Sequence, residues 1–201
     1  MNANATSETT ILLVDDDRLV LSTLSMGLVR AGYRVITAES ADDAEAFLAS
    51  GERPDLAILD VRMPGTSGLV LAERLRSLDQ VPFMLLTAYS DRETVDQATA
   101  SGALAYLVKP VDTPQLVPAI KAALARARDI HGLETTGRQL QQALNSEREI
   151  SIAIGITMVQ YHLDRKAAFE LLRKTARTQS RKLAAFAVEI ISASETLNLG
   201  P

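Results

Sequence analysis

Five short apolar runs recur at regular spacing in the first part of the chain, and no other feature limits its fold as strongly. The runs are Thr10–Val14, Arg34–Ala38, Leu56–Leu59, Phe83–Thr87 and Ala105–Val108. Segments with helical periodicity lie between them, at Leu19–Ala31, Ala41–Ser50, Gly68–Ser77 and Glu93–Ala100. Apolar runs without clean alternation are typical of strands buried on both faces. The pattern predicts an α/β domain with a doubly wound, five-stranded parallel sheet.

Polar side chains follow four of these runs at the point where each strand should end. In chain order they are Asp15-Asp16-Asp17, Asp60, Thr87 and Lys109. Each residue type alone is common in turns or strands. In doubly wound sheets, however, ligands bind outside the carboxyl ends of the strands. The coincidence at successive strand ends therefore predicts one shared site.

Carboxylates gathered in this way repel one another unless a cation lies among them. Oxygen donors with room for water suit Mg²⁺, so Asp15, Asp16 and Asp60 are its candidate ligands. Lys109 can pair with a carboxylate or with an incoming phosphoryl group, and the Thr87 hydroxyl can donate to that group. The set predicts phosphoryl transfer onto a carboxylate, with Asp60 as nucleophile and with Mg²⁺ and Lys109 stabilising charge.

Composition excludes several other kinds of site. The chain has no cysteine and only two histidines, so it cannot form disulfides, and a zinc site is not expected. No apolar run is long enough to span a bilayer, and the polar start does not resemble a signal peptide. We therefore expect a cytoplasmic protein without a membrane partner, with a disordered N-terminus at residues 1–8.

Charge is distributed unevenly along the chain. Residues 1–128 hold 12 basic and 17 acidic side chains, whereas residues 148–183 hold 8 basic and 3 acidic ones. The pattern is helical from Thr113 onward, and residues 129–147 are predicted to form a helical linker with modest coiled-coil character. Residues 148–197 are predicted to form a small three-helix all-α domain, with breaks near Tyr161–Asp164 and Thr178–Ser180. Two domains of opposite charge indicate different partners.

Basic residues in the tail are the candidates for nucleic-acid contacts. If one helix continues through them, residues four apart along it form a stripe. A solvated helix face is the ordinary explanation, but the absence of acids between Lys174 and Lys182 favours a phosphate backbone as partner. The candidates are Arg173, Lys174, Arg177, Arg181 and Lys182.

Residues 9–128 resemble the receiver domains of two-component response regulators, which have a flavodoxin-like fold. The resemblance rests on Asp15-Asp16, the DVRMPGTSG stretch at residues 60–68, Thr87-Ala88 and Lys109-Pro110. It implies that Asp60 accepts a phosphoryl group from a sensor histidine kinase, so that the domain acts as a switch and not as an ordinary enzyme.

Further properties follow from the same resemblance. It implies that the backbone carbonyl of Arg62 helps the acidic residues to hold Mg²⁺. It also implies that Thr87 and Tyr106 move together on phosphorylation, and that the Lys109–Pro110 peptide bond is cis.

The tail resembles the ANTAR family of transcription antitermination regulators, which are small three-helix RNA-binding modules. The matching residues are Arg148, Ile150, Ala153, Gly155, Met158, Ala168-Phe169, Leu172-Arg173, Lys182-Leu183 and Ala187. The chain departs from the family at Ile154, where Lys is frequent. We expect Ala153, Gly155 and Met158 to pack in the core, and Tyr161 to be a half-buried core residue.

The leading prediction is a phosphorylation-controlled RNA-binding regulator. Phosphorylation of Asp60 would promote a homodimer, which would bind structured hairpins in nascent transcripts and favour antitermination. Two alternatives remain: a DNA-binding regulator with an atypical helix-turn-helix, and a receiver whose helical tail docks onto a protein.

Overall fold

A computed structural model of the 201-residue chain describes residues 8–88 and 100–197. Among these residues the strands are β1 (Thr10–Val14), β2 (Arg34–Ala38), β3 (Leu56–Asp60), β4 (Phe83–Thr87) and β5 (Tyr106–Val108). The helices are α1 (Arg18–Arg30), α2 (Ala41–Ala49), α3 (Gly68–Arg74), α4 (Thr113–Tyr161), α5 (Arg165–Thr178) and α6 (Leu183–Leu197). A π-helical turn, Leu75–Asp79, extends α3. The predicted helix at Glu93–Ala100 and the predicted disorder at residues 1–8 lie, apart from Ala100 and Glu8, outside the described residues.

The strands form one parallel sheet in the order β2-β1-β3-β4-β5. Each neighbouring pair is parallel, with Val14 opposite Leu59 and Asp60 opposite Leu86. The predicted doubly wound five-stranded sheet is confirmed. The chain order reverses direction between β1 and β3, which is where such sheets bind ligands.

Two hydrophobic clusters cover the two faces of the sheet. One joins the strands to α2 and α3 through residues such as Leu12, Leu48 and Leu71. The other joins them to α1 and the start of α4 through residues such as Ile11 and Ile120. Every residue of β3 is buried, because helices cover both of its faces. Such burial is why the strand sequences lack alternation.

Compact packing divides the chain into two units, one up to His131 and one from Gly132 onward. Helix α4 contributes residues to both units and includes residues 129–147, the segment predicted to be a helical linker. Leu133, Leu140 and Leu144 are exposed along it. No helix in residues 8–88 and 100–197 has the length and apolar character needed to cross a bilayer.

The second unit packs the end of α4 with α5 and α6 around a core of small and aliphatic side chains. Its buried members are Ala153, Ile154, Ala168, Leu172 and Ala187. Helix α4 ends at Tyr161 and α5 ends at Thr178, so both predicted breaks are present. The side chain of Asp164 caps α5 by accepting a hydrogen bond from the Ala167 amide at 2.8 Å.

Two expectations about this unit are wrong. Gly155 and Tyr161 are exposed, whereas Ala153 is fully buried as expected. Tyr161 is the last residue of α4, and His162 directly after it has φ of 53°. Tyr161 therefore lies at the very end of the helix, and it is 58% exposed.

Candidate functional site

Three carboxylates converge at the carboxyl edge of the sheet. Asp15 and Asp16 follow β1, and Asp60 is the last residue of the neighbouring β3. One oxygen from each of Asp15, Asp16 and Asp60 lies within 4.8 Å of the others. Asp15 is fully buried and Asp60 nearly so, whereas Asp16 is exposed. We call these three residues the acidic cluster.

The ammonium of Lys109 lies between two members of the acidic cluster. Its Nζ is 2.6 Å from Asp15 Oδ2 and 3.0 Å from Asp60 Oδ2. Lys109 follows β5, and its amide donates to the Thr87 carbonyl at 2.7 Å, which fixes it beside the end of β4. The Lys109–Pro110 bond is cis, as the family resemblance implied. The fold thus brings together residues from three strand ends.

The backbone after β3 holds the Asp60 carboxylate in position. The Arg62 amide donates to Asp60 Oδ1 at 3.4 Å, and the Gly68 amide donates to the Val61 carbonyl at 3.2 Å. A Cβ at position 68 would overlap the Asp60 carbonyl oxygen and carbon. Only glycine lets the start of α3 approach the Asp60 backbone so closely, a constraint that the sequence analysis missed. Its signal in the sequence was a glycine at the first position of the predicted helix Gly68–Ser77.

Burial and the charge of the partner residues shift the pKa values of Asp60 and Lys109 in opposite directions. Desolvation raises the pKa of Asp60 and so does neighbouring Asp15, whereas Lys109 and the Arg62 amide lower it; the net pKa lies above the ordinary carboxyl value. For Lys109, burial lowers the pKa, but hydrogen bonds and attraction to Asp15 and Asp60 outweigh burial and raise it. The site therefore holds one ammonium among carboxylates whose charge it only partly balances.

The donor set fits a divalent cation of the Mg²⁺ type. The three carboxylates, with oxygens at mutual ligand distance, carry more negative charge than the single positive charge of Lys109 can balance. The exposure of Asp16 leaves one side open to water, and Mg²⁺ keeps several water ligands. Asp15, Asp16 and Asp60 are the residues that would hold it.

Thr87 and Tyr106 occupy the two strands on the far side of Asp60. Thr87 ends β4 and is buried, one residue beyond Leu86, the partner of Asp60 in the sheet. Tyr106 begins β5 opposite Leu85, and its side chain is 42% exposed. The proposed switch pair thus comprises a buried hydroxyl and an exposed ring on adjacent strands.

The five predicted RNA contacts lie on α5 and the turn after it. Arg173, Lys174 and Arg177 are exposed on α5, opposite its buried residues Ala168, Leu172 and Ala176. We call Arg173, Lys174, Arg177, Arg181 and Lys182 the basic set. Arg173 lies 3.7 Å from Glu170, and both side chains are 59% exposed, so water screens this pair.

The continuous stripe of Arg173, Arg177 and Arg181 does not form. Helix α5 ends at Thr178, and Ser180 has φ of 54°, which turns the chain before Arg181. Arg181 instead forms an ion pair with Glu189 of α6 and lies over the Phe186 ring, 5.8 Å from its centroid. No local sequence pattern indicates this pairing, because the pairing depends on the direction that α6 takes after the turn.

Comparison with known protein families divides the chain in the same way as the motifs do. The family model described as "Response regulator receiver domain" matches residues 11–121. The model described as "ANTAR domain" matches residues 138–191.

Named relatives and solved structures are similar either to nearly the whole chain or to its first part. The transcriptional regulatory protein PdtaR of Mycobacterium tuberculosis is 32% identical over 194 residues, covering 94% of each chain. The transcriptional regulatory protein AfsQ1 of Streptomyces coelicolor is 42% identical over 116 residues, 58% of this chain and 51% of that protein. The chemotaxis protein CheY4 of Vibrio cholerae is 31% identical, with a TM-score of 0.55 over 58% of this chain and 99% of its own.

Proposed function

The chain belongs to the two-component response regulators, as a receiver domain followed by an ANTAR domain, and on that premise we propose that phosphorylation of Asp60 controls RNA binding by its C-terminal helices. The observation that carries the proposal is the meeting of the acidic cluster with Lys109 at the sheet edge. A histidine kinase is the partner that a receiver domain implies, and RNA is the partner that an ANTAR domain implies.

Phosphoryl transfer needs a nucleophile and compensation for charge. An Asp60 oxygen attacks the phosphorus of the kinase phosphohistidine, a P–O bond forms, and the P–N bond to the imidazole breaks. Lys109 Nζ, 3.0 Å from Asp60 Oδ2, is close enough to stabilise charge on the transferred group. A Mg²⁺ ion bound by Asp15, Asp16, Asp60 and the Arg62 carbonyl would supply additional charge stabilisation.

The new phosphoryl group changes the shape of the β4–β5 face. It adds negative charge and acceptor oxygens beside β4, which attract the Thr87 hydroxyl. Displacement of Thr87 leaves space for the exposed Tyr106 ring to turn inward. The altered face then favours a homodimer, in which two sets of C-terminal helices bind two RNA elements at higher effective concentration.

RNA binding by the second unit draws support from its unpartnered cations. Lys174, Arg177 and Lys182 have no acidic partner within ion-pair distance among the described residues. These cations would bind the phosphates of structured hairpins in nascent transcripts, and antitermination of transcription would follow. Arg181 stays in the proposed set, although it must exchange Glu189 for a phosphate.

The experiment compares RNA binding before and after phosphorylation. Full-length protein is incubated with Mg²⁺ and acetyl phosphate, and retention of hairpin RNA on a filter is measured against salt concentration. We expect tighter, steeply salt-dependent binding after phosphorylation of the wild type and no change for Asp60→Asn. Equal binding in both states would refute control by phosphorylation.

The same assay separates the alternatives. Preference for duplex DNA would select the DNA-binding alternative, and retention of neither nucleic acid would select protein docking by the tail. Sedimentation with beryllofluoride, an acyl-phosphate mimic, tests dimerisation separately: an unchanged oligomeric state would refute the dimer switch.

A further inference from the structure

Arg181 differs from the other members of the basic set because an acid of the same unit already binds its guanidinium. Both terminal nitrogens of Arg181 donate to Glu189, one to each carboxylate oxygen. Arg173, by contrast, lies 3.7 Å from Glu170, which is beyond hydrogen-bond distance. A fork of two parallel N–H···O bonds is also the geometry in which arginine binds a phosphate group. Glu189 therefore occupies the donors that an RNA phosphate would use.

The turn between α5 and α6 positions Arg181 for this contact. Ser180 has φ of 54°, and the Arg181 amide donates to the Ala176 carbonyl at 2.9 Å, as in a Schellman motif. This motif ends α5 and fixes the backbone at Arg181. The guanidinium lies over the Phe186 ring, 5.8 Å from its centroid, and binds Glu189 one turn further along α6. The backbone and the ring together orient the guanidinium toward Glu189.

The ion pair lies at the surface, where RNA can reach it. The Arg181 side chain is 31% exposed and that of Glu189 is 58% exposed. An ion pair with this exposure is screened by water and salt and contributes little to stability. Neither residue belongs to the hydrophobic core of the unit. Exchange of Glu189 for a phosphate would therefore leave the packing of the three helices intact.

Three other members of the basic set lack a competing acid. Lys174, Arg177 and Lys182 have no carboxylate within ion-pair distance in the part of the chain that the structure describes. Their charges are available to any polyanion that approaches, whereas Arg181 becomes available only after Glu189 releases it. The free energy needed to separate Arg181 from Glu189 is therefore subtracted from the free energy of RNA binding.

We propose that Glu189 is an autoinhibitory residue that competes with RNA phosphate for the Arg181 guanidinium and so lowers the affinity of the second unit for RNA. The inference rests on the proposed RNA binding and adds an internal competitor to it. Only molecules in which Arg181 is released can use this residue to bind a phosphate. The apparent affinity is reduced by the fraction of molecules in that form.

The test compares filter binding of RNA by full-length wild type and by Glu189→Gln, both phosphorylated with acetyl phosphate and Mg²⁺. The probe is a pool of RNA hairpins with one fixed stem and a randomised loop. Gln keeps the shape of the side chain but removes its charge, so it holds Arg181 less firmly. We expect Glu189→Gln to bind the pool about threefold more tightly, in keeping with the modest strength of an exposed ion pair.

Two further variants separate release of Arg181 from simple loss of a repulsive charge. Glu195→Gln removes the same charge from another exposed position of α6 and should change the affinity much less. In an Arg181→Ala background, Glu189→Gln has no guanidinium to release, so its effect should fall to that of Glu195→Gln. Urea denaturation tests a structural role, because a purely structural ion pair would make Glu189→Gln lower both the free energy of unfolding and the affinity for RNA.

The outcomes distinguish this inference from the proposed function. Unchanged or weaker RNA binding by Glu189→Gln, or an equal gain in the Arg181→Ala background, overturns the competitor role and leaves RNA binding by the second unit intact. Retention of hairpins by Glu189→Gln but not by the wild type would support the competitor role. If neither protein retains any hairpin, the competitor role and the proposed RNA binding are both overturned.

Discussion

The acidic cluster and the basic set both bring like charges together, but they differ in burial and in ion pairing. Asp15 and Asp60 are buried against the ammonium of Lys109. Lys174, Arg177 and Lys182 are exposed and rely on water, with no acid within ion-pair distance among the described residues. Buried charges interact strongly and are coupled to folding, whereas exposed charges are screened and remain available to a partner.

Function and stability depend on the same residues in the receiver but on different residues in the second unit. In the receiver, the charges that would bind a cation and a phosphoryl group also contribute to the free energy of unfolding, because they are buried and paired. In the second unit, charge can be changed with little effect on stability, because the core of α4, α5 and α6 contains none of it. Substitutions should therefore have unlike consequences in the two regions.

The largest effect should follow replacement of the nucleophile. Asp60→Asn removes the carboxylate that would attack phosphorus, so we expect no label to be taken up from radiolabelled acetyl phosphate. Asp17→Asn is the matched control, because Asp17 caps α1 through Leu19 and Val20 and Asn caps equally well. Labelling of Asp60→Asn at the wild-type rate would contradict the assignment.

A large effect on binding alone is expected from the basic set. Arg173→Ala with Arg177→Ala should lower hairpin affinity about tenfold to a hundredfold and reduce the salt slope by about 1.5, since two phosphate contacts are lost. Arg126→Ala with Arg128→Ala, exposed residues of α4, removes equal charge elsewhere. Filter binding checks both, and equal losses from the two pairs would indicate that only net charge matters.

Replacing one lysine in each region compares how much their charges contribute to stability. Lys109→Met leaves Asp15 and Asp60 without their shared cation, and should lower the free energy of unfolding by about 2 kcal/mol at pH 7, less than for a fully buried pair because Lys109 is 20% exposed. Lys174→Met should change it by under about 0.5 kcal/mol. Urea denaturation with a chelator present measures the change in free energy of unfolding for both variants. Similar changes would show that buried and exposed charges contribute equally to stability.

The smallest expected effect is the pH-dependent change in stability caused by Asp60→Asn. Because the folded-state pKa of Asp60 lies above its ordinary value, ionisation of Asp60 opposes folding, and its contribution to stability is lost as pH rises through the carboxyl range. Without divalent cations, Asp60→Asn should therefore be more stable than the wild type at pH 7. The advantage should shrink as pH falls and vanish well below the ordinary Asp pKa of about 3.9, where the carboxyl is protonated in both states.

A thermal or urea series over pH tests this prediction. An advantage that grows toward low pH would mean that the pKa of Asp60 is lowered on folding. Added Mg²⁺ should stabilise the wild type and reverse the order, because a ligand that binds only the folded state stabilises it.

Much of the first unit could be predicted because its signals are local. The strand runs agree with β1 to β5 within one residue at each end, and the topology rule for parallel sheets brings Asp15, Asp60 and Lys109 to one edge. The second unit was harder. The turn at Ser180 is a local feature, but the pairing of Arg181 with Glu189 depends on the direction of α6.

The order of elements, the burial of the strands and the residues at the strand ends follow from the amino-acid sequence alone, because periodicity and turn chemistry act over a few residues. Which charges pair depends on tertiary packing: Lys109 lies between two aspartates, and Arg181 pairs with Glu189. Side chains distant in sequence approach one another only after packing fixes the backbone, and electrostatic interactions depend steeply on that final distance and burial.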